Sequence, residues 1–343
     1  MEAITRRIIG IDEFGAAIPD ITPAELKALG VSFGDTLDFC FSNGTVLVNA
    51  PYYNGFYSPI GDPLFVAYPT FTYPAINING RNFAAISGVQ AGDSVTITMN
   101  GKAAKKDVMD LRGVTYSNDP GDYRSRDQFA NAREFHAGKT GAGKIYRCAS
   151  PFDHMMNRPE AVAEFLKEHG IRSTLSLSET EVTLRKRYPE MPAYAREIYE
   201  NGNAVPALLG ADYFSDTLRT KLSQGLITIM DKPLPWAIHC MEGKDRTGFV
   251  CILLGALMGA AYDELIDDFM KSFENYYGIT LETDAFRYDG FKSLFADKYL
   301  RIFAGLSEEE NPAGYSYSRG AEQYLLESGM RREQIDQLKA IIS

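Results

Sequence analysis

Long hydrophobic runs are missing from this chain, and so is any excess of positive charge. The first 30 residues hold no extended apolar core of the kind a secretory leader needs. The longest apolar run, residues 249–258, falls short of the roughly 20 residues a membrane-spanning helix requires. No integral membrane contact is expected, and the cytoplasm is the expected location. A formal net charge of −10 over 343 residues argues against a nucleic-acid partner and against attachment to a membrane surface through a polybasic patch. The same charge repels anionic ligands at long range, so any affinity for an anion must arise locally. Cysteine is sparse. Cys40, Cys148, Cys240 and Cys251 show neither disulfide nor metal spacing, and no cofactor and no metal are expected. Internal repeats and low-complexity tracts are absent, which excludes solenoids. What is present is an ordinary globular composition, 45% hydrophobic and 23% charged, long enough for two domains or one large one.

One stretch stands out, residues 235–248. Trp236, Ala237 and Ile238 form a short apolar run that reads as the end of a buried strand. A tight polar loop follows from Cys240 to Arg246, and the apolar run after it reads as a buried helix. A cysteine after a strand and an arginine at a helix start, five residues between them, suit a phosphate. Successive loop amides form an anion nest, and the helix N-terminus adds unpaired N–H groups and partial positive charge. Arg246 can grip two phosphate oxygens at once. The same field favours the thiolate of Cys240, its nucleophilic form. Met241, Glu242, Gly243, Lys244 and Thr247 are the candidate substrate-binding residues, with Thr247 able to donate its hydroxyl to the sulfur. His239 is placed to order the loop through the backbone rather than to act as a general base. A buried cysteine beside an unrelated surface arginine is the competing interpretation, since cysteine is usually a small hydrophobe, as expected for Cys251.

The run from His239 to Gly248, His-Cys-x-x-Gly-Lys-Asp-Arg-Thr-Gly, resembles the phosphate loop of the Cys-x5-Arg protein tyrosine phosphatases. It is most similar to their bacterial branch, whose loop carries Lys-Asp before the Arg. The resemblance extends to three other segments: residues 129–135, where Glu134 stands in place of the usual Asp and Arg133 reads as a structural ion-pair partner; residues 145–153, where Cys148 replaces a serine; and residues 274–279. It implies a metal-independent phosphomonoester hydrolase acting through a cysteinyl-phosphate, on phosphotyrosine proteins or phosphorylated small molecules.

Elsewhere the chain reads as α/β, a parallel sheet flanked by helices, with an N-terminal mostly-β domain. The β-rich domain, a barrel or a sandwich, is expected over residues 1–117, a linker over 118–128 and the phosphatase domain over 129–343. In the first, Thr22 caps a short helix with Pro23 at its start. Strands are expected at residues 36–41, 45–48, 64–68, 75–78 and 93–99, the first two joined by the hairpin signal Asn43-Gly44. The aromatics of residues 51–57 are expected to fill the core and rim. This region resembles the small β-barrel of bacterial S-adenosylmethionine hydroxide adenosyltransferases, which implies a shape and not that chemistry. In the second, helices are expected at 159–169, 213–230, 262–277, 285–303 and 318–342, strands at 145–148, 171–177 and 205–209, and an exposed helical stretch at 179–203. Residues 138–144 have the spacing of a nucleotide-binding P-loop. Ile145 stands where a magnesium-binding hydroxyl belongs, so a glycine-rich turn is expected instead.

The leaving group needs a proton. Asp245, inside the loop, and Asp212, at the end of an apolar strand as in the family's mobile acid loop, are equal candidates. Asp216 is a third, and Asp212 could instead cap a helix. Phosphoinositide hydrolysis is the nearest alternative activity: Lys244 favours it with positive charge, and Glu242 opposes it. A catalytically silent phospho-binding protein and a rhodanese-like sulfur carrier are more distant alternatives.

Overall fold

The structure is a computed structural model and describes residues 2–12, 14–69, 71–210 and 212–343. The chain divides into two compact units, Met1–Val114 and Thr115–Ser343.

The first unit contains β1 (Ile4–Ile11), β2 (Ala17–Pro19), α1 (Pro23–Ala28), β3 (Thr36–Phe41), β4 (Val46–Tyr53), β5 (Pro63–Val66), β6 (Ala75–Ile78), α2 (Phe83–Ser87), β7 (Ser94–Gly101) and α3 (Lys106–Arg112). Its strands close into a barrel in the order β1-β2-β6-β5-β4-β3-β7, with β7 pairing back onto β1. Closure leaves no strand edge open, which removes a template for aggregation. Ile8, Leu37, Phe39, Tyr52, Phe65, Ile76, Val95 and Ile97 fill the interior. Tyr52 and Tyr53 are buried while Phe56 is exposed, so the aromatics are divided between core and rim. The Ser42-Asn43-Gly44 turn joins β3 to β4. Gly44 has φ 89°, a conformation only glycine adopts without strain. Thr22 and Glu25 form a capping box on α1. The sequence pattern predicts no strand before this helix, yet β1 is there, its alternation masked by the adjacent Arg6 and Arg7.

The second unit contains α4 (Arg126–Phe129), β8 (Arg133–Phe135), β9 (Ile145–Cys148), α5 (Pro159–Glu168), β10 (Ser173–Ser176), α6 (Glu181–Arg187), α7 (Ala193–Glu200), β11 (Ala204–Pro206), α8 (Asp216–Met230), β12 (Trp236–His239), α9 (Asp245–Leu257), α10 (Tyr262–Tyr277), α11 (Ala285–Lys292), α12 (Lys298–Ala304), α13 (Ser318–Glu327) and α14 (Arg332–Ile342). The sheet order is β11-β10-β12-β9-β8. The sheet is not wholly parallel as expected. Four strands run parallel, but β8 pairs antiparallel with β9 at the edge. The connection between them is the glycine-rich stretch 138–144, which forms turns and leads into a strand, where a P-loop would lead into a helix. A crossover connection would have needed a helix there. The expected exposed helix at 179–203 is two helices, α6 and α7, broken at Tyr188-Pro189, because proline cannot continue the hydrogen-bond ladder.

β12 lies between β10 and β9 with all four residues buried. Helix α9 leaves it almost wholly enclosed, Thr247 to Leu257 all buried. Phe249 packs against Tyr213, Tyr299 and Tyr324 at 4.6, 5.0 and 5.6 Å between ring centroids.

Candidate active site

The loop between β12 and α9 begins at Cys240, which is 3% exposed. Its carbonyls are held from outside. Met241 O accepts from the Ser150 amide at 3.1 Å. Glu242 O accepts from Tyr276 Oη at 2.6 Å and Asn131 Nδ2 at 3.0 Å. Gly243 O accepts from Asn131 Nδ2 at 3.1 Å and Arg147 Nη2 at 2.8 Å. A trans peptide carries its N–H opposite its C=O. The amides of Glu242, Gly243 and Lys244 therefore turn away from these donors, as an anion nest requires. Gly243 has φ 66°, and a Cβ there would lie 2.1 Å from Cys148 O. Cys148 is buried at the end of β9, paired in register with His239. Burial first, then the neighbouring Cys240, raises its thiol far above the usual range.

The donors that hold the loop are themselves held. Asn131 is buried with φ 47°. Its Oδ1 accepts from Asn275 Nδ2 at 3.0 Å and Arg133 Nη1 at 3.1 Å, so its Nδ2 is committed to the loop and to Ser272 Oγ. Arg147, 0% exposed, pairs through Nη1 with Asp268 and through Nη2 with Ser272 as well as Gly243. Arg133 Nε meets the same Asp268 at 2.8 Å, the structural pairing expected for it. Burial opposes the charge on Asp268, but the Arg133 and Arg147 guanidiniums outweigh it and keep the carboxyl below the usual range.

On the opposite side lies Glu179, 0% exposed, in a stretch expected to be solvent-facing. It accepts from the hydroxyls of Ser150, Ser176 and Ser178 and from Arg187, which also reaches Asp153 at 2.6 Å. His239 is buried against Phe152, 5.5 Å between centroids. Burial pushes its imidazole down to about 4, against the pull of Glu179, so the ring is neutral at pH 7. Its main-chain carbonyl accepts from Leu177 N at 2.8 Å. Arg246 Nη1 donates to Leu177 O at 3.2 Å and Leu209 O at 3.3 Å, the chain ends beyond β10 and β11. Thr247 does not donate to the sulfur. Among the described residues its buried Oγ1 has no hydrogen-bond partner.

Lys244 is 10% exposed and clamped. Its Nζ lies 2.9 and 2.8 Å from the two Asp245 oxygens and 3.4 Å from Glu242 Oε2, beneath the rings of Phe273 and Tyr277. Burial opposes its charge, but Asp245, Tyr277 and Glu242 more than offset that and raise its pKa well above normal. Asp245 opens α9 and is 40% exposed. Glu242 Oε1 accepts from Tyr116 Oη at 2.6 Å, and its side chain is 12% exposed. Asp212 is exposed and does not cap α8. Ser215 does so, accepting from Leu218 N, which starts the helix at Asp216 rather than Tyr213. Asp216 is the first helical residue and is exposed. Tyr213, beside Asp212, stacks on Phe249 at 10° between planes and gives its carbonyl to Tyr324 Oη at 2.6 Å.

Cys240, Met241, Glu242, Gly243, Lys244, Asp245 and Arg246 thus share one loop and helix start. Asp212 stands on the segment after Leu209, whose carbonyl Arg246 contacts. Sequence reasoning assigned no role to Tyr116, Asn131, Arg147, Ser150, Glu179, Asp268, Ser272 or Tyr276. Their spacing carries no period, and a buried ion pair looks like two surface charges in a sequence. Among the described residues no three His, Cys, Asp or Glu side chains are grouped to hold a metal ion. No helix among them is long and apolar enough to cross a membrane.

Among solved structures, the core catalytic domain of the PP-IP phosphatase SIW14 from S. cerevisiae, in complex with citrate, matches with a TM-score of 0.28 and 15% identity, covering 49% of this chain and 98% of that one. An uncharacterized conserved protein from Thermotoga maritima matches with a TM-score of 0.25 and 19% identity, over 27% of this chain and 35% of that one, so the chain spans about a third of that protein's length. No curated protein matches the chain. A family model does, over residues 106–342. That span takes in β12, the loop and α9, together with Asn131, Arg147, Glu179 and Asp268 that brace them, and it places the chain in the tyrosine phosphatase family.

Proposed function

We propose that the protein is a phosphomonoester hydrolase of the protein tyrosine phosphatase type, with Cys240 as nucleophile and phosphotyrosine in proteins as the substrate. The observation that carries this reading is the loop whose carbonyls are drawn outward by Ser150, Asn131, Arg147 and Tyr276, with Cys240 at one end and Arg246 at the other. In the first step the Cys240 thiolate attacks phosphorus. The S–P bond forms, the ester P–O bond breaks, and the leaving oxygen takes a proton from Asp212 or Asp245. In the second, water attacks phosphorus and gives a proton to that same carboxylate, the S–P bond breaks, the thiolate returns and phosphate departs. The loop amides and Arg246 bind the equatorial oxygens in both transition states. Arg246 has Nη1 on Leu177 O and Leu209 O, which orients its remaining N–H groups for two phosphate oxygens.

Cys240→Ser is expected to lower kcat on para-nitrophenyl phosphate by on the order of 10⁴ and Arg246→Ala by on the order of 10³. Acid-quenched wild type should carry a phosphoryl group on Cys240 by mass spectrometry. Turnover retained in Cys240→Ser would place the chemistry elsewhere. The acid is identified by Asp212→Asn and Asp245→Asn. Loss of the true donor slows phenyl phosphate, a poor leaving group, far more than para-nitrophenyl phosphate. Equal slowing of both substrates in both variants would reject both assignments.

A further inference from the structure

The charges inside the loop do not add up as the sequence suggests. Lys244 stands where a cation could receive a second phosphate, yet it is spent. Two carboxylates, Asp245 and Glu242, face its single ammonium, and it lies 10% exposed beneath Phe273 and Tyr277. With both carboxylates ionised, the four charged side chains of the loop, Glu242, Lys244, Asp245 and Arg246, sum to zero before the thiolate is counted.

Glu242 is moreover fixed in place. One oxygen takes the Tyr116 hydroxyl at 2.6 Å and the other faces Lys244 at 3.4 Å, while its own carbonyl is tied to Asn131 and Tyr276. A carboxylate that is 12% exposed and anchored through both oxygens cannot swing away or be well screened by water. Tyr116 is fixed in turn, its ring 4.6 Å from Tyr276 and 5.8 Å from Tyr277. The guanidinium of the buried Arg158 lies 5.4 Å from the Tyr116 ring and 4.6 Å from that of Tyr276.

We propose that Glu242, anchored by Tyr116 and Lys244, is a specificity-determining residue that selects phosphomonoesters without a second phosphate near the scissile one. This rests on the Cys240 reading above. A single phosphate dianion meets the amides and Arg246. A substrate with a neighbouring phosphate adds charge that meets a fixed carboxylate and finds Lys244 already paired. Phosphotyrosine, with an uncharged ring around its ester, fits this rule. A polyphosphorylated headgroup or a pyrophosphate does not.

The test compares kcat/KM for para-nitrophenyl phosphate with that for soluble dioctanoyl phosphatidylinositol 4,5-bisphosphate, in wild type and Glu242→Gln. The readout is the ratio of the two, whatever happens to the absolute rates. Removing one negative charge from the loop should move the ratio toward the bisphosphate by about tenfold. A ratio unchanged within about twofold overturns the proposal and reduces Glu242 to a brace of the loop. A second measurement needs no variant: in wild type, inorganic pyrophosphate should inhibit no more tightly than inorganic phosphate, and tenfold tighter inhibition by pyrophosphate overturns the proposal as well. Failure of the underlying reading looks different. Cys240→Ser would then retain turnover of both substrates.

Discussion

Gly243 shows how little freedom the loop has. Its φ of 66° favours glycine, and any Cβ would press on the Cys148 carbonyl. Gly243→Ala is therefore expected to cost about 3 kcal/mol, combining left-handed strain with a clash against backbone. Chemical denaturation would read this, and activity should fall with it because, on the proposed mechanism, the displaced peptide is one that binds phosphate. At this scale the sequence was readable only where function is contiguous. Cys240 and Arg246 fall at the two ends of one strand-to-helix loop, as their spacing predicts, because the residues between them are that loop. Asn131 and Glu179 do not, because their work is done through space. Asn131 reaches Glu242 and Gly243 across more than a hundred residues, and nothing in its neighbours marks it as buried.

The strand-loop-helix element is suspended between two polar clusters, and the cluster behind it contains the stronger test. Asp268 on α10 faces both Arg133 and Arg147, the latter fully buried. Removing its charge leaves two guanidiniums without their shared partner, and unpaired buried charge is costly. Asp268→Asn should lose about 3–5 kcal/mol of stability in denaturant melts. A loss under about 1 kcal/mol would mean that water already satisfies the arginines. Elements with an unbroken signal were legible: α9 as an all-apolar run and α10 with matching bounds. Elements whose signal is interrupted were not. β1 hides behind two arginines, and β8 is too short, at three residues, to show alternation, so the antiparallel edge went unseen. The fold of the sheet's interior and of its β11 edge was thus readable, and its β8 edge was not.

For the whole molecule, acid should act in two stages. His239 is held at about 4 in the folded chain, against an ordinary 6.5. Between those values the unfolded chain binds a proton that the folded chain refuses, so stability falls as pH drops from 6.5 to 4, by on the order of 3 kcal/mol. Asp268 works lower down. Its folded pKa is depressed, so its contribution is complete above the ordinary carboxylate value and is lost as pH falls through the folded one. Melts recorded from pH 7 to pH 3 should show the first decline in wild type and a flatter curve above pH 4 in His239→Gln. An unchanged upper limb in that variant would assign the decline to other groups. Mass balance of charge was legible from composition, but which residues refuse protons was not, since burial is a property of the fold.

Tyr116 is the second residue after the boundary between the two compact units. A fragment starting at Thr115 would keep every strand and helix of the phosphatase unit and still set this tyrosine beside a loose chain end, where backbone frays. Its ring would keep Tyr276, Tyr277 and Arg158, so only the share of the grip on Glu242 that its backbone supplies would slacken, while the sheet stays as it is. Such a trimmed protein is expected to hydrolyse a simple aryl phosphate while becoming more permissive toward crowded anions, and comparing the two preparations on para-nitrophenyl phosphate and the bisphosphate lipid would reveal it. Shortening this chain, in other words, would change what it accepts before it changes whether it folds.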